Sequence, residues 1–401
     1  SAASDVYKRQ LVEGLVAALG KVRPVAELEG FDPHLSLQGV GRERGEQLVG
    51  EVVGRAEGFD GEVLERGNPK RDIVDPPLEL RDATSPISAV DPEGKPALTL
   101  PEARQGILVV GPVQESRPEA ATAVEALVEL ARDRGWPVLA DIASGLRQHA
   151  ALAPALVHGF DLFLRSKAVR AALRPDLVLH VGRMPTSKAL FTWLQQLEDD
   201  DVDVVHLSTD GQAHSLGHSP QVVTTTWPQL RASCSAASPM LRSGDDWLWR
   251  WQEAQRVTRS AADHAEKDAG LWEGAVARVA SRMPAGSILV LGSGMPIRDA
   301  DAYVTRLAPD TSCLVNRGVN GIDGLLATAA GVATHAADRP VRLLMGDQAF
   351  LHDVGSLAMV AGRPNLDIVV INNGGSGIFE FLPISQAGEA FDKDFRAPQH
   401  A

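Results

Sequence analysis

Two polar clusters near the end of the chain have the residue types that hold a diphosphate through a divalent metal. The sequence Gly-Asp-Gln at residues 346–348 closes one apolar run, and Asn-Asn-Gly-Gly at residues 372–375 closes the next. Mg²⁺ prefers oxygen ligands in an octahedron and commonly shares them between protein and substrate phosphates. Asp347 can supply a charged oxygen, Asn373 an amide oxygen and Gly375 a backbone carbonyl, so we predict these three residues as the metal ligands.

The apolar runs before the two clusters predict neighbouring strands of a parallel sheet. Residues 342–345 and 367–371 are short, apolar and partly β-branched, and polar turns bound them, which is the pattern of buried strands. The segment around residues 351–361 is predicted as the crossover helix between them. Both clusters would then lie at the carboxyl ends of the strands, where open α/β sheets bind their ligands.

Strands alternate with helices over much of the remaining sequence, which predicts parallel sheets covered on both faces. We predict strands at residues 107–110, 137–140, 177–181, 204–207 and 287–291, and helices at residues 120–134 and 187–197. On this basis the chain divides into an irregular, linker-like segment at residues 1–100, a middle α/β domain at 101–228, a helical connection at 229–285 and a last α/β domain at 286–401.

Composition limits the class of protein. A chain of 401 residues with 44% hydrophobic residues, 37 glycines and 25 prolines is large enough for two or more folded domains. No apolar run approaches the length of a membrane span and no signal peptide is recognisable, so we expect a cytoplasmic location without membrane insertion. A net charge of −13 argues against a nucleic acid partner. Cys234 and Cys313 lack metal-binding spacing, so both are expected to be reduced thiols.

Three segments of the chain resemble a known enzyme family. The Gly-Asp pair followed one crossover later by Asn-Asn resembles the binding motif of enzymes that depend on thiamine diphosphate (ThDP), although Gln348 stands where glycine is common. The sequences Asn-Arg-Gly-Val-Asn-Gly-Ile-Asp-Gly at residues 316–324 and Gly-Ser-Gly-Ile-Phe-Glu-Phe-Leu-Pro at residues 375–383 are more specific. They resemble the 2-succinyl-5-enolpyruvyl-6-hydroxy-3-cyclohexene-1-carboxylate (SEPHCHC) synthases of menaquinone or phylloquinone biosynthesis, and the resemblance runs from about residue 105 to the C-terminus. It implies a parallel-sheet domain of the ThDP-binding, pyrophosphate type and a Rossmann-like middle domain.

The resemblance implies a ThDP-dependent transferase. Such an enzyme joins 2-oxoglutarate to isochorismate with loss of CO₂, uses ThDP with Mg²⁺ or Mn²⁺, and forms a homodimer or homotetramer. The resemblance places cofactor contacts at Ile322, as an apolar support under the bent cofactor, and at Gly346, Asp347, Gln348, Ala349, Asn373 and Gly375. It places substrate contacts at the cationic residues Lys188, Arg298 and Arg317 and at an apolar wall made by Ile378, Phe379 and Leu382. An arginine fork fits a carboxylate bidentately, as two acidic substrates require.

The resemblance also implies parts that this sequence does not show. The family has an amino-terminal pyrimidine-binding domain whose glutamate activates the cofactor, and no segment here resembles that domain or offers that glutamate. The sequence ends at Ala401, sooner than a complete pyrophosphate-binding domain. We therefore expect a fragment that is inactive on its own, with its activating glutamate unassigned.

Other interpretations of these motifs remain open. Another ThDP-dependent carboligase or decarboxylase, of the acetolactate synthase type, would not need Arg298 and Arg317 in its cavity. A non-catalytic ThDP-fold fragment that only binds a partner or nucleotide is the third interpretation. Gly-Ser-Gly at residues 292–294 imitates a dinucleotide fingerprint but lacks its third glycine. His214 and His218 have helical metal spacing, but the glycines and proline around them favour a loop.

Overall fold

The structure, a computed structural model, describes residues 103–113, 117–209, 221–235, 245–269, 273–316 and 321–396. The predicted irregular segment at residues 1–100, the predicted substrate ligand Arg317 and the histidines His214 and His218 lie outside these residues. The described part contains two sheets, and the strand pairs within them are parallel. The predicted α/β class with parallel sheets is therefore confirmed.

The first sheet belongs to the first half of the described chain. Its strands are β1 (Gly106–Val110), β2 (Val138–Ala140), β3 (Leu156–Val157), β4 (Leu177–Val181), β5 (Asp203–Ser208) and β6 (Gln221–Thr224). Their order across the sheet is β3-β2-β1-β4-β5-β6. All residues of β1 and β4 are buried, as strands covered on both faces require.

Helices cover both faces of this first sheet. They are α1 (Arg117–Arg134), α2 (Phe160–Phe163), α3 (Lys167–Ala172), α4 (Lys188–Asp199), α5 (Trp227–Ser235) and α6 (Asp245–Ala269). Leu130 of α1 packs in one cluster with Trp227 of α5. On the other face Trp193 of α4 packs with Trp251 of α6, with their ring centroids 5.9 Å apart. The alternation of strands and helices predicted from the sequence thus produces a three-layer arrangement.

The second sheet contains the two strands predicted before the polar clusters. Its strands are β7 (Ile288–Leu291), β8 (Ser312–Val315), β9 (Val341–Gly346) and β10 (Leu366–Ile371), and their order is β10-β9-β7-β8. Strands β9 and β10 pair in parallel from Val341 with Leu366 to Gly346 with Ile371. Their carboxyl ends therefore lie side by side, as predicted.

Five helices pack on the second sheet: α7 (Glu273–Ala280), α8 (Met295–Tyr303), α9 (Leu325–His335), α10 (Asp347–His352) and α11 (Leu357–Val360). Leu326 of α9 and Phe350 of α10 belong to one apolar cluster, and Val276 of α7 and Ile297 of α8 belong to another. No helix in the described part of the chain is long and apolar enough to cross a bilayer.

The crossover between β9 and β10 differs from the single helix predicted around residues 351–361. Helix α10 begins directly after β9, a 3-10 turn covers Val354–Ser356, and α11 follows. Asp353 lies at the break, and its carboxylate accepts hydrogen bonds from the Leu326 N–H at 2.6 Å and from the Ser356 hydroxyl at 2.7 Å. An aspartate that binds its own turn and the start of another helix competes with helix continuation.

A buried ion pair joins the two sheets. Arg147, in the segment after β2, donates from Nη2 to Asp301 Oδ1 of α8 at 2.5 Å, and the two side chains are 0% and 1% exposed. Arg147 also donates to the carbonyl oxygens of Ala140, Asp301 and Val304, at 2.9, 2.9 and 2.7 Å. The Ile142 N–H donates to the same Asp301 oxygen at 2.9 Å. These bonds fix the segment after β2 against α8.

Candidate functional site

Asp347 stands at the carboxyl end of β9 and links it to the loop after β10. Its Oδ1 accepts a hydrogen bond from the Gln348 N–H at 2.8 Å, and its Oδ2 accepts one from the Gly375 N–H at 2.9 Å. Burial raises the pKa of this carboxyl, while the backbone donors of Gln348 and Gly375 oppose the rise. A carboxylate has about four lone-pair sites, so Asp347 can bind a metal without giving up these two bonds.

The loop after β10 is shaped by its glycines. The Gly374 N–H donates to Asn372 Oδ1 at 3.0 Å, and Gly374 has a φ of 78°, a left-handed conformation that favours glycine. The Gly377 N–H donates to the Gly375 carbonyl at 2.9 Å. A Cβ on Gly377 would lie 2.6 Å from Asn373 Nδ2, so a glycine at this position leaves the room that the Asn373 side chain occupies.

The donors of Asp347, Asn373 and Gly375 fit a hard cation. They offer one carboxylate, one amide oxygen and one backbone carbonyl, and Mg²⁺ is usually held by one or two carboxylates together with substrate phosphates. The Asn373 side chain packs against Gly377, and this contact fixes its amide group beside the end of β9. Within the described residues no group of three or more His, Cys, Asp or Glu could hold a metal. Among the described residues, a metal at this edge would therefore be held by fewer than three such side chains, together with neutral oxygens.

The remaining residues predicted to contact ThDP lie near the same sheet edge. Gly346 ends β9, and Gln348 and Ala349 lie in the first turn of α10. Ile322 precedes α9 and is 41% exposed. Ile322 is not among the described residues that line the substrate-sized cavity beside this edge.

That cavity, of about 690 Å³, is lined by α4 of the first sheet and by α8 of the second. Lys188 lines it from α4 and Arg298 lines it from α8. The segment that follows the loop after β10 contributes Ile378, Phe379 and Leu382. Five of the six predicted substrate-binding residues thus line one cavity, which has the volume of a small-molecule site. We refer to it as the substrate cavity.

Arg298 is anchored by backbone carbonyls at the start of α8. Its Nη1 donates to the Ser293 carbonyl at 2.7 Å and to the Gly294 carbonyl. The Ser293 hydroxyl donates to the Asn316 carbonyl at 2.5 Å, which ties the loop after β7 to the end of β8. A guanidinium held in this way presents its fork in one orientation, which suits bidentate recognition of a carboxylate.

Lys188 is positioned by a helix cap. The preceding Ser187 accepts a hydrogen bond from the Leu190 N–H at 3.1 Å and donates its own hydroxyl to Asp161 Oδ1 at 2.7 Å. Asp161 is paired in turn with Arg165 at 2.5 Å. The start of α4, and with it the exposed Lys188, is therefore fixed at the edge of the substrate cavity.

Asp299 is a residue of the substrate cavity that the sequence analysis missed. It follows Arg298 on α8, is 6% exposed, and its Oδ2 has no hydrogen-bond partner among the described residues. Burial raises its pKa to about 7, the charges of Glu273 and Asp161 add to the rise, and Arg298 opposes it. A carboxyl that is partly protonated near neutral pH can donate a hydrogen bond to a ligand oxygen. The one signal in the sequence is its position directly after Arg298.

Comparison with known proteins shows which proteins this chain resembles. Residues 92–289 match the family described as the middle domain of thiamine pyrophosphate, another name for ThDP. The match covers the first sheet and the helices that lead to β7. Residues 92–289 are therefore similar to the middle domain of the ThDP enzymes, and most of the second sheet follows this region in sequence.

The curated relatives to which the chain is similar share one name. The chain is 35% identical over 307 residues to the 2-succinyl-5-enolpyruvyl-6-hydroxy-3-cyclohexene-1-carboxylate synthase of Synechococcus elongatus. It is 38% identical over 317 residues to the synthase of the same name from Sorangium cellulosum, and 35% identical over 301 residues to that from Listeria monocytogenes. This chain is thus a relative of the SEPHCHC synthases, and the predicted resemblance is confirmed.

The matches cover more of this chain than of its relatives. They include 74%, 74% and 73% of this chain but 49%, 50% and 50% of the three synthases. The chain spans about half the length of the curated relatives that it matches.

Proposed function

We propose that this chain provides the metal and diphosphate site, and one part of the substrate cavity, of a ThDP-dependent SEPHCHC synthase. One observation carries the proposal. The loop that holds Asn373 runs directly into Ile378 and Phe379, and these two residues line the cavity that Lys188 and Arg298 share. Cofactor anchoring and substrate binding are therefore adjacent along one short segment of the chain.

In this proposal a Mg²⁺ or Mn²⁺ ion is held by Asp347, Asn373 and the Gly375 carbonyl. The backbone and side chains of Gly346, Gln348, Ala349 and Ile322 contact the cofactor around it. ThDP, when bound, supplies the electron sink for loss of CO₂ from a 2-oxo acid and for formation of a new carbon–carbon bond. The oxygen donor set and the seat of Asn373 against Gly377 support this assignment.

The proposed substrates are 2-oxoglutarate and isochorismate, and the products are SEPHCHC and CO₂. Both substrates are acids, so Lys188 and Arg298 would bind their carboxylates, and Arg317 is assigned the same role from the sequence. Ile378, Phe379 and Leu382 would exclude water from the reacting carbons. The protonated form of Asp299 would donate a hydrogen bond to a substrate oxygen, since its Oδ2 has no partner among the described residues. We also propose a cytoplasmic homodimer or homotetramer, which light scattering would test.

Calorimetric titration of ThDP into the chain, in Mg²⁺ or in EDTA, tests the cofactor site. Asp347→Asn keeps the side-chain size and removes the charge, so ThDP affinity in Mg²⁺ should fall by ~30-fold or more, the equivalent of ~2 kcal/mol for a lost partner at a desolvated contact. Asp338→Asn makes the same charge change at an exposed residue between α9 and β9 and should leave the affinity unchanged.

Two outcomes would contradict the cofactor assignment. Equal ThDP affinities of the wild type and Asp347→Asn would reject the metal site. If the wild-type chain bound no ThDP with or without Mg²⁺, the interpretation as a non-catalytic fragment would be favoured instead.

A second titration separates this synthase from an acetolactate synthase-type enzyme. Pyruvate lacks the second carboxylate of 2-oxoglutarate, so a cavity with Lys188 and Arg298 should prefer 2-oxoglutarate. Arg298→Ala should weaken 2-oxoglutarate binding by ~30-fold or more, since a lost partner of a desolvated charge costs ~2–5 kcal/mol, and should leave ThDP affinity unchanged. Arg250→Ala, at an exposed site on α6, is the control. Similar affinities for both acids, unaffected by Arg298→Ala, would favour the alternative carboligase.

A further inference from the structure

A second cavity, of about 670 Å³, lies at the opposite edge of the second sheet from the cofactor site. Residues 281–284, before β7, and residues 303–309, before β8, form most of its lining. These connections lead into the amino ends of the strands, whereas Asp347 and Asn373 follow the carboxyl ends of β9 and β10 in the same parallel sheet. We refer to it as the amino-edge cavity.

The amino-edge cavity is lined by a concentration of positive charge. Four guanidinium groups come from α6, α7 and the two connections, namely those of Arg259, Arg278, Arg282 and Arg306. No aspartate or glutamate is among the described residues that line it. Asp263 of α6 pairs with Arg259 at 3.0 Å and with Arg278 at 3.3 Å. The chain has a net charge of −13, so this local group of positive side chains is opposite in sign to the charge of the chain as a whole.

A nearby histidine provides a second observation of the positive potential. His158 lines a smaller cavity that shares Arg259 and Tyr303 with the amino-edge cavity. Burial lowers the pKa of His158 to about 3, and the positive charges of Arg147, Arg259 and Arg306 contribute to the lowering. The field of these arginines therefore extends beyond the cavity itself and favours negative charge.

The rest of the cavity lining combines apolar side chains with the polar side chains of Ser281, Tyr303 and Thr305. Met283, Val304 and Leu307 are buried in the cluster that packs α7 and α8 against the second sheet. A site with an apolar floor and a few charged groups has the character of a small-molecule site, and its volume falls in the usual range. Arginine forks bind carboxylates and phosphates bidentately.

We propose that the amino-edge cavity binds a small organic anion that carries two or more carboxylate or phosphate groups. Two or more acidic groups are needed because the guanidinium groups come from separate elements around one cavity. The proposal uses none of the residues assigned to ThDP, to the metal or to the substrates. It therefore stands or falls independently of the proposed function.

Citrate and inorganic pyrophosphate are the probes, titrated calorimetrically into the chain in buffer freed of divalent metal by a chelating resin, so that metal-dependent binding at Asp347 does not contribute; EDTA is left out because it is itself a polycarboxylate. We expect at least one probe to bind with one-to-one stoichiometry and with an affinity that falls as NaCl is raised, since the charges are partly exposed. Tighter citrate binding would indicate a polycarboxylate ligand, and tighter pyrophosphate binding a phosphorylated one. Triethyl citrate, which has no free carboxylate, should not bind. Asp347→Asn should keep the affinity for the preferred probe.

The double variant Arg282→Gln/Arg306→Gln removes the two exposed cations of the cavity. Affinity for the preferred probe should fall by ~10-fold or more, because each lost charge contact weakens binding. Arg132→Gln/Arg250→Gln makes the same charge change at exposed sites elsewhere and should stay within ~2-fold of the wild type. If circular dichroism shows that the double variant is unfolded, Arg306→Gln alone replaces it, with an expected loss of ~3-fold. Absence of binding by both probes at millimolar concentration, or equal losses in the cavity and control variants, would overturn the proposal.

Discussion

The buried pair of Arg147 and Asp301 leads to a quantitative prediction for Arg147→Met. Methionine is unbranched and apolar, so it keeps much of the volume of arginine while it removes the charge and the donors. The variant leaves the Asp301 side chain, which is 1% exposed, without its cation. It also removes the donors that the carbonyls of Ala140 and Val304 accept at 2.9 and 2.7 Å.

The expected loss follows from these contacts. Breaking a buried ion pair costs ~3–5 kcal/mol. Burial raises the pKa of Asp301 to about 8 even beside Arg147, so without Arg147 the carboxyl must either keep an uncompensated charge or take up a proton. Each buried carbonyl that loses its donor adds ~1–3 kcal/mol before the structure relaxes. The free energy of unfolding should therefore fall by at least ~3 kcal/mol. Arg250→Met is the matched control, because Arg250 is 46% exposed and pairs with Asp246 along one turn of α6, a contact worth ~0.3–0.5 kcal/mol.

Urea unfolding followed by circular dichroism measures both variants. With a slope of ~1–3 kcal/mol per molar urea, Arg147→Met should lower the midpoint by ~1 M or more, and Arg250→Met should lower it by ~0.5 M or less. The double variant Arg147→Met/Asp301→Leu removes both buried charges and should recover most of the loss, since uncharged replacements of buried pairs are often neutral. If Arg147→Met lowered the free energy of unfolding no more than the control does, this pair would not be the contact that holds the two sheets together.

Three further predictions concern the candidate site. The pKa of Asp299 is raised from 3.8 to about 7, so a negative charge appears beside Arg298 as the pH rises. Glu273 and Asp161 are already ionised in this range, so the affinity for the anion 2-oxoglutarate should fall between about pH 6 and pH 8. Calorimetry at several pH values should show this fall in the wild type and not in Asp299→Asn. The folded state also keeps a proton that the unfolded state releases above 3.8, so the stability of the wild type relative to Asp299→Asn should decrease from about pH 4 to pH 7 in urea unfolding. Gly377→Ala places a Cβ 2.6 Å from Asn373 Nδ2 and should weaken Mg²⁺-dependent ThDP binding by ~10–100-fold, whereas Gly331→Ala, with no heavy atom within 4 Å of the added carbon, should not. A flat pH profile or an unchanged ThDP affinity would contradict the respective prediction.

The sheet edge that carries the candidate cofactor site could be predicted because its strands are buried on both faces. Such strands are nearly continuous apolar runs, so residues 342–345 and 367–371 were recognisable within β9 and β10. Parallel strands place their carboxyl ends at one edge, which made the meeting of Asp347 with the loop after β10 predictable. The break in the crossover between β9 and β10 could not be predicted, because Asp353 acts through a hydrogen bond with Leu326 of α9, 27 residues away in sequence.

The residues that position the substrate cavity could not be predicted from local pattern. Arg147 and Asp301 are 154 residues apart in sequence, and a lone charged residue is most often solvated. Asp299 differs from other aspartates only through the packing that buries it and leaves its Oδ2 without a described partner. Arg298 was predicted as a substrate contact because the family resemblance places one there, but its anchoring by the Ser293 and Gly294 carbonyls depends on the folded turn after β7.

Helix α8 connects these features physically. Arg298 and Asp299 lie on it at the substrate cavity, Asp301 pairs with Arg147, and Tyr303 lines both the substrate cavity and the amino-edge cavity. Any coupling between the two cavities has this helix as its shortest covalent path. Such coupling must be reciprocal. If an anion in the amino-edge cavity changes the affinity for 2-oxoglutarate by some factor, then 2-oxoglutarate changes the affinity for that anion by the same factor. Because the buried pair holds α8 against the first sheet, Arg147→Met should alter that factor even though Arg147 lines neither cavity among the described residues.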